Sequence, residues 1–503
     1  MKRNLITAVL VSLFLGSVSG TVEGATFCVN TTETLQSALN TAGSNGEDDL
    51  IQVVQGTYIG NFSYNSSEPL GLTIEGGYST GCSSRTSAFV NTVLDANGSG
   101  TVLQLTGSLD AIVDGITLQN GSNSGLIASL GRDLILSNCK IQYNIGGSGG
   151  GASLVAKKID VINNTIMLNV AYFGGGVDIR GGFPDIINFT GNLITQNNAN
   201  YAEGGGVHIR DTDAAVNFMN NIISYNATTL HAGGGHGGGA HISNGGPVNF
   251  VNNTLVGNTT TDCCWGGGVS IYYSTYANVH NNIFWGNNSQ TGRDVTFYSI
   301  PEMYISLLNN DIDQTPGGIY GLSSIDFSNL NKVDPSFVNL SIEDYHLQPA
   351  SPCVDSGLNS ANIPSTDYDG LPRIVNGIVD MGAYEYQGAI APTVPDFLGG
   401  LREFHYYKLD ERIVVKVDVK NRGTKSEPFK VSFYLSDNGV VLGQLIGEAT
   451  VRKGLNAGQT STLSSTYTSP TSLSGKYFIA VIDSGDQINE MVETNNRVVV
   501  RIP

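Results

Sequence analysis

Four short segments carry acidic, imidazole and guanidinium side chains at equivalent positions. They are GGGVDIR, GGGVHIR, GGGAHIS and GGGVSIY, which begin at Gly174, Gly204, Gly237 and Gly266. The second residues after the glycine triplets form one row, which consists of Asp178, His208, His241 and Ser270. Two residues further along lies another row, which consists of Arg180, Arg210, Ser243 and Tyr272.

These rows offer acid–base chemistry and anion binding. An aspartate beside a histidine can tune a general base, which makes Asp178, His208 and His241 candidate catalytic residues. Arginines can hold a sugar carboxylate, so Arg180 and Arg210, with Asp178 and His208, are candidate ligand-binding residues. One straight row surrounds a metal poorly, which argues against a metal site on Asp178, His208 and His241. Polar rows also cover the solvent face of any sheet, so a purely structural role stays open.

A further histidine, His236, lies between glycines in the stretch LHAGGGHGGGAHIS. Polygalacturonases carry Gly-His-Gly together with Asn-Thr-Asp and Asp-Asp upstream and Arg-x-Lys downstream. This sequence has no Asn-Thr-Asp, no Arg-x-Lys after His236, and Asp-Asp only at Asp48-Asp49. Inverting hydrolysis needs two carboxyl groups about 6.5–9.5 Å apart, and the sequence around His236 supplies none. We interpret His236 as part of a glycine-rich turn.

A second acidic group, Asp355, Asp367, Asp369 and Asp380, lies near residue 370. Asp367-x-Asp369-Gly370 matches part of a calcium-binding loop but lacks its distal glutamate. Aspartates that form turns explain the same residues. We expect no cofactor, with Ca²⁺ as the candidate ion if one binds.

The glycine segments belong to an internal repeat. Each is followed by an element such as INFTGNLI or VNFMNNII, and two similar elements are IDVINNTI before the first segment and ISLLNNDI after the last. The last asparagines of these six elements are Asn164, Asn192, Asn221, Asn253, Asn282 and Asn310. A period of roughly 30 residues with short alternating strands predicts a solenoid. We predict a parallel β-helix with coils about 4.8 Å apart. Val207 and Ile209 should point inward, and His208 and Arg210 toward solvent.

The repeating asparagines should lie at turns inside the stack. There they tolerate a left-handed backbone, and their amide groups can bond the asparagines above and below. Cys139 stands where the other repeats have asparagine, and we interpret it as a buried thiol.

The segment NTTETLQSALNTA, residues 30–42, predicts an amphipathic helix that caps the first coil. Asn30 is the expected N-cap, with Glu33 three residues on. One face carries Leu35, Ala38, Leu39 and Ala42. Cys28 and Cys82 flank the cap and the first coils. A disulfide between them would contribute roughly 4 kcal/mol in the chain-entropy model.

The repeats and the segment after them resemble known families. Phe189–Asn192, Phe218–Asn221 and Phe250–Asn253 follow Gly-Gly-Val/Ala, which is similar to polymorphic outer-membrane proteins and to right-handed parallel β-helices. Residues 334–385 contain DPSFVN, DYHLQPASPCVDSG, DYDGLPR and DMGAYE and resemble the end of bacterial choice-of-anchor Q proteins. The resemblance implies a right-handed parallel β-helix over residues 25–388.

The C-terminal residues 396–503 resemble CARDB, a cell-adhesion-related domain of bacteria. The matching motifs are Asn421-x-Gly423, Phe433-Tyr434-Leu435-Ser436, Leu455-x-Ala457-Gly458, and Glu490 and Glu493 before Asn495-Asn496. The resemblance implies an immunoglobulin-like β-sandwich of about seven strands. A linker is expected over residues 389–395. The chain as a whole is therefore predicted to be all-β.

The N-terminus and the charge restrict the compartment and the partners. Lys2 and Arg3, followed by an apolar run, predict a signal peptide over residues 1–24. No later segment reaches the roughly 20 apolar residues of a transmembrane helix. The net charge of -18 disfavours nucleic acid and anionic membranes as partners. We expect a bacterial protein that is secreted, extracellular or on the outer cell surface.

Three functions fit these features. The first is binding of polysaccharide or of envelope or matrix components without catalysis. The alternative is a polysaccharide lyase or glycoside hydrolase that acts from the outer sheet of the β-helix. The third is a spacer.

Overall fold

The computed structural model describes residues 24–502 except for 87–90, 182–183, 202, 230–234, 261–263, 361–362, 389–394, 396, 422–423, 438–441, 486–487 and 489–496. The expected signal peptide, apart from Gly24, and most of the expected linker lie outside the described residues. So do Cys263, Glu490 and Glu493. Within the described part, no helix is long and apolar enough to cross a membrane.

Residues 25–331 form a solenoid. Strands of successive coils pair into four parallel sheets, which we call I to IV in the order in which the chain passes through them. Sheet I contains Ala25–Val29, Asp49–Val54, Leu72–Tyr78, Ala111–Asp114, Asp133–Ser137, Lys158–Ile162, Ile186–Thr190, Ala215–Met219, Val248–Val251, Ala277–His280 and Ile305–Leu308. Sheet II contains Gly56–Ile59, Thr92–Asp95, Thr117–Gln119, Lys140–Gln142, Thr165–Met167, Leu193–Thr195, Ile222–Ser224, Thr254–Val256, Ile283–Trp285, Asp311–Ile312 and Leu330–Asn331.

Sheet IV completes the coils, and within the described residues sheet III is present only in the middle ones. Sheet III is short and contains Ile145–Ser148, Val170–Phe173, Asn198–Ala199, Ala227–Thr228 and Thr259–Thr260. Sheet IV contains Phe62–Ser66, Leu103–Gly107, Leu126–Leu130, Ala152–Val155, Val177–Arg180, Val207–Thr212, Ala240–Asn244, Val269–Tyr272, Val295–Tyr298 and Ile319–Tyr320. These parallel ladders confirm the predicted β-helix.

The core forms because alternate residues of each strand point into the coil. Val207 and Ile209 are fully buried, as predicted. Phe189, Phe218 and Phe250 stack one above another, with neighbouring ring centroids 4.6 and 5.0 Å apart. Like side chains therefore meet in successive coils, which fixes the register of the sheets.

The repeating asparagines form a hydrogen-bonded ladder at the turn between sheets I and II. Nδ2 of Asn221 donates to Oδ1 of Asn253 at 2.9 Å and to the carbonyl oxygen of Phe189 at 2.8 Å. The left-handed backbone lies one residue earlier than predicted, for example at Asn220, where φ is 55°. The reason is that the ladder residue itself must point its amide group into the stack. Cys139 ends the ladder as a buried thiol.

A second ladder, which the sequence reasoning missed, lies between sheets II and III. It links Asn144, Asn169, Asn197, Asn226, Asn258 and Asn287. The coils from Asn164 to Asn287 therefore carry two buried asparagine turns, each hydrogen-bonded from coil to coil.

The helix Thr32–Ala42 covers the first coil and buries the predicted apolar face. Its N-cap is Thr31 and not Asn30, because Thr31 and Thr34 satisfy each other's backbone N–H groups in a capping box. A disulfide joins Cys28 to Cys82, the pair that flanks this cap in the sequence. Short 3₁₀ turns occur at Thr80–Cys82, Glu302–Tyr304 and Leu340–Ile342.

Residues 334–386, which we call the strap, fold back over the outer face of sheet II. Phe337–Asn339 and Asp344–Leu347 pair as antiparallel strands, and Tyr345, Met381 and Ala383 pack with Ile222, Val256 and Ile283 of the sheet. The left-handed asparagines of the first turn donate to strap carbonyl groups, as Asn220 does to Thr366 and Asn252 to Asp380. The strap therefore completes the solenoid as a covering layer.

The C-terminal strands form a sandwich with its own core. One sheet consists of Phe397–Tyr407, Arg412–Asn421 and Thr460–Thr468, and the other consists of Gln444–Val451, Phe429–Ser436, Tyr477–Ile482 and Arg497–Arg501. All neighbouring strands pair antiparallel. These seven strands agree with the predicted immunoglobulin-like sandwich.

Candidate functional site

Three rows of side chains meet on the outer side of sheet IV. The sheet row consists of Asp178, His208, His241, Ser270 and Thr296, and the outer row consists of Arg180, Arg210, Ser243, Tyr272 and Tyr298. The pre-glycine row, which the sequence reasoning missed, holds the residue before each glycine triplet and consists of Phe173, Glu203, His236 and Trp265. Backbone hydrogen bonds stack this last row, because Gly174 donates to Glu203 and Gly204 to His236.

The expectation that the sheet row faces solvent is wrong. Asp178 and His208 are completely buried, and His241 is 2% exposed. The pre-glycine row packs over these side chains: the ring of Phe173 stacks on His208 at 5.6 Å, and the ring of His236 lies 5.8 Å from that of His241. Asp178 and His208 therefore do not meet a dissolved sugar in this structure.

A left-handed glycine brings the pre-glycine row over the sheet. Gly204 has a φ of 70°, and a Cβ at this position would lie 2.4 Å from the carbonyl oxygen of Val207 and 2.7 Å from Cβ of His208. Only glycine permits this close approach. The turn reverses the chain so that the preceding residue covers the strand that follows it.

The predicted ligand-binding arginines remain at the surface. Arg180 is exposed and pairs in register with Arg210, which is half-buried. The Arg210 guanidinium lies over the ring of Phe173, 4.6 Å from its centroid, in a cation–π contact. Ligand binding by these two residues stays a prediction.

Asp178, His208 and Glu203 form a charged network below the surface. Nδ1 of His208 lies 2.8 Å from Oδ1 of Asp178, and Nε2 lies 3.4 Å from Oε2 of Glu203. Burial acts to lower the pKa of His208, but the two carboxylates outweigh it and raise that pKa above its usual value. Burial acts to raise the pKa of Glu203, but His208 and the neighbouring imidazoles lower it to about 2.

Burial favours the neutral form of the other two histidines. Burial, with the nearby His208, lowers the pKa of His241 to about 3, and burial also lowers the pKa of His236. Nδ1 of His241 lies 2.6 Å from the hydroxyl oxygen of Ser270. Nδ1 of His236 accepts a hydrogen bond from the backbone N–H of Trp265 at 3.3 Å. A neutral His236 must then carry its proton on Nε2, so that it is a donor toward the site.

Several polar atoms of these rows lack a hydrogen-bond partner although they are buried. In the described part of the chain they are Oδ2 of Asp178, Nε2 of His208, Nε of Arg210, the hydroxyl of Tyr272 and the hydroxyl of Thr296. One ligand atom each from Glu203, His208 and His241 lies within 4.8 Å of the other two. No other trio of histidine, cysteine or acidic residues among the described positions converges in this way.

Aromatic rings extend the site toward the later coils. The aromatic platform consists of Trp265, Tyr272, Tyr273, Tyr298 and Tyr320. Trp265 lies 5.1 Å from Tyr320 and 5.4 Å from Tyr298, measured between ring centroids. Tyr273 is 56% exposed and Tyr320 is 39% exposed. The platform is therefore a continuous aromatic surface that solvent reaches.

Calcium binding by the acidic residues of the strap stays a prediction, and the described hydrogen bonds of the Asp367 and Asp380 carboxylates are to backbone groups of the strap. Asp367 accepts hydrogen bonds from the backbone N–H groups of Asp369, Leu371 and Glu385, and Asp380 accepts them from Asp355 and Tyr386. These four candidates for calcium, Asp355, Asp367, Asp369 and Asp380, are thus arranged around turns of the strap. Burial raises the pKa of Asp380 to about 7.

Asp369 has a different role from the other strap carboxylates. Its Oδ2 lies 2.8 Å from Nε2 of His346, whose Nδ1 lies 2.6 Å from Oδ1 of Asp344. The imidazole also packs on Tyr384, with ring centroids 3.8 Å apart. A histidine held between two carboxylates favours its doubly protonated form.

Comparisons with known proteins support the C-terminal module. Residues 407–500 match the CARDB family, as the motifs predicted. A CARDB domain from Pyrococcus furiosus, solved in complex with di-metal ions, is 20% identical and covers 24% of this chain and 96% of its own, with a TM-score of 0.19. No curated protein matches the chain.

The solenoid has a more distant counterpart. Pectate lyase Pel9A is 14% identical and covers 73% of this chain and 98% of its own, with a TM-score of 0.40. At this level of similarity, the assignment of the fold rests on the strand ladders of the chain itself. The resemblance of residues 334–385 to choice-of-anchor Q proteins stays a prediction.

Proposed function

We propose that the protein is exported and binds carbohydrate at the cell surface, without catalysis, through the aromatic platform and the neighbouring outer row. The observation that carries the proposal is the platform itself, where aromatic rings of successive coils adjoin at 4.9 to 5.4 Å and Tyr273 and Tyr320 are exposed. The apolar C–H face of a pyranose ring packs on such rings, because aromatic side chains combine a large apolar surface with polar edges.

The platform has the shape to bind a chain of sugars. It spans the strands Val269–Tyr272, Val295–Tyr298 and Ile319–Tyr320, so it is about 10 Å long at the spacing of parallel strands. Arg210 and Arg180 lie on the same face in earlier coils. Their guanidinium groups suit a carboxylate on the sugar. The CARDB module at residues 407–500 fits a protein of the surface or adhesion type.

Burial of the sheet row argues against catalysis. Asp178, the expected partner of a general base, is 0% exposed, and so is His208. Of the described acidic and histidine side chains in the three rows, a substrate could reach Glu203, whose side chain is 29% exposed, and the half-buried His236. Those two residues are the one feature that favours the alternative, a polysaccharide lyase or glycoside hydrolase.

A glycan array with the secreted full chain, followed by product analysis of the best ligand, tests the proposal. We expect Trp265→Ala and Tyr273→Ala each to weaken binding about tenfold, because a lost aromatic contact costs about 1–1.5 kcal/mol. Tyr276→Ala is the control, since Tyr276 is 41% exposed and belongs to the same coil but not to the platform. Equal losses in all three variants would refute the platform. New reducing ends or unsaturated products would establish the alternative.

A further inference from the structure

We propose that Glu203, His208 and His241 bind a divalent transition-metal ion of the Zn²⁺ type. The three side chains come from two different rows and from adjacent coils, so they surround a point instead of following a line. Their ligand atoms lie within 4.8 Å of one another. A bound Zn²⁺ with ligands at about 2.1 Å holds them roughly 3.3 Å apart, and the partly exposed Glu203 has the freedom to close this difference.

Each imidazole is already oriented as a metal ligand. Nδ1 of His208 is engaged by Asp178 at 2.8 Å, and Nδ1 of His241 by Ser270 at 2.6 Å. Both histidines therefore have Nε2 left for the ion. Metal-binding histidines commonly use their second nitrogen to bond a carboxylate or another polar group, which fixes the ring and its tautomer.

A second observation that points to a ligand is the absence of a hydrogen bond at Nε2 of His208. Nε2 of His208 is buried without a hydrogen-bond partner in the described structure, and it faces Glu203 at 3.4 Å. Burial of a polar atom without a hydrogen bond destabilises a fold. A metal ion between His208, His241 and Glu203 satisfies this nitrogen and a carboxylate at the same time.

The donor set decides the class of ion. Two imidazoles with one carboxylate suit Zn²⁺ and its transition-metal neighbours, whereas Ca²⁺ takes six to eight oxygen ligands. Three protein ligands leave a position of a tetrahedral Zn²⁺ open for water. Glu203 is the exposed member of the trio, so solvent reaches the site on its side. Glu203 supplies a ligand from outside the sheet row, which a single straight row could not provide.

The test uses metal ions alone on the full chain without a histidine tag, so it is independent of sugar binding. Co²⁺ is titrated and followed by its visible absorption, and Zn²⁺ and Ca²⁺ then compete for it. We expect one equivalent of Co²⁺ with the strong bands of a four-coordinate ion, displaced by Zn²⁺ and unaffected by Ca²⁺. Absence of binding, a weak six-coordinate spectrum, or displacement by Ca²⁺ would overturn the assignment.

Variants locate the ion. Glu203→Gln and His241→Asn should each weaken Co²⁺ binding more than Asp178→Asn, for which the loss of an orienting partner predicts about 10–100-fold. His280→Gln is the control, because His280 lies on sheet I with Nε2 bonded to Ser306. Wild-type affinity in Glu203→Gln, which keeps nearly the same shape and lies near the surface, would place the ion elsewhere and refute the site even if the buried variants fail to fold.

Discussion

At the scale of single residues, parallel pairing brings Asp178 beside His208, and the turn at Gly204 places Glu203 over them. The alternation of GGGVDIR and GGGVHIR correctly placed Asp178 beside His208, since parallel strands of a repeat pair in register. The same alternation predicted that Asp178 and His208 are exposed, but the pre-glycine row covers them. Glu203 was not predicted as a site residue, because its position over the sheet depends on the left-handed turn at Gly204. The sequence does show a polar or aromatic residue before every glycine triplet. The alternation within a strand does not extend across the turn, so it could not predict where these side chains lie.

His346 gives a pH prediction at this scale. Hydrogen bonding to Asp369, followed by Asp344, raises the pKa of His346 to about 9 against the opposing effect of burial. A histidine whose folded pKa exceeds its unfolded value of about 6.5 stabilises the fold fully below pH 6.5. That stabilisation disappears as the pH rises through 9. We expect His346→Gln to destabilise the protein at pH 6 and to have little effect near pH 10, in denaturant unfolding followed across this range.

His280→Gln is the opposite control for this experiment. Burial lowers the pKa of His280, so its imidazole opposes folding as the pH falls below about 6.5. The variant should therefore gain stability relative to the wild type toward low pH. A His346→Gln effect that is constant from pH 6 to pH 10 would contradict the proposed charge on that imidazole.

At the scale of elements, composition and period indicated the architecture because identical turns must stack in a solenoid. The first asparagine ladder followed from Asn221 and its equivalents, which recur with the repeat. The second ladder was missed because sheet III contributes strands as short as Asn198–Ala199. Two residues carry no alternation that a sequence could display. The strap was recognised as a distinct segment, but its packing on sheet II depends on contacts far apart in the chain.

The asparagine ladder between sheets I and II should contribute more to the free energy of unfolding than the asparagines on the outer face of sheet I. Asn253 is completely buried, donates to Phe218 and Asn282, and accepts from Asn221. Asn253→Ala leaves several buried groups without partners at about 1–3 kcal/mol each, so we expect a loss of at least about 3 kcal/mol in unfolding free energy. Urea denaturation measures it.

Asn217→Ala is the control for the ladder. Asn217 also links two asparagines, Asn188 and Asn249, at 2.8 Å, but its partly exposed position lets water replace the lost bonds. The expected loss is below about 1 kcal/mol. Similar losses in the two variants would mean that burial contributes nothing to the ladder.

At the scale of the whole molecule, the chain has separate cores in the solenoid and in the sandwich. The alternating strands and the CARDB-like motifs predicted the core of the sandwich. The internal repeat predicted the core of the solenoid. Phe327 at the end of the solenoid packs against the sandwich core, but the buried residues of each core come from its own part. Each part should therefore unfold as a unit of its own. Calorimetry of the full chain is expected to show two transitions.

The disulfide should affect only one of these transitions. Cys28 and Cys82 are 54 residues apart and tie the first strand of sheet I to the turn after its third strand, while no described residue of the sandwich touches this end in the strand pairing. Replacing both cysteines by serine frees a loop of that length in the unfolded solenoid, which lowers its unfolding free energy by about 4 kcal/mol in the chain-entropy model. The sandwich transition serves as an internal control and should keep its midpoint. Equal shifts of both transitions would show that the two cores unfold together, and an unchanged solenoid transition would show that the bridge does not constrain the unfolded chain.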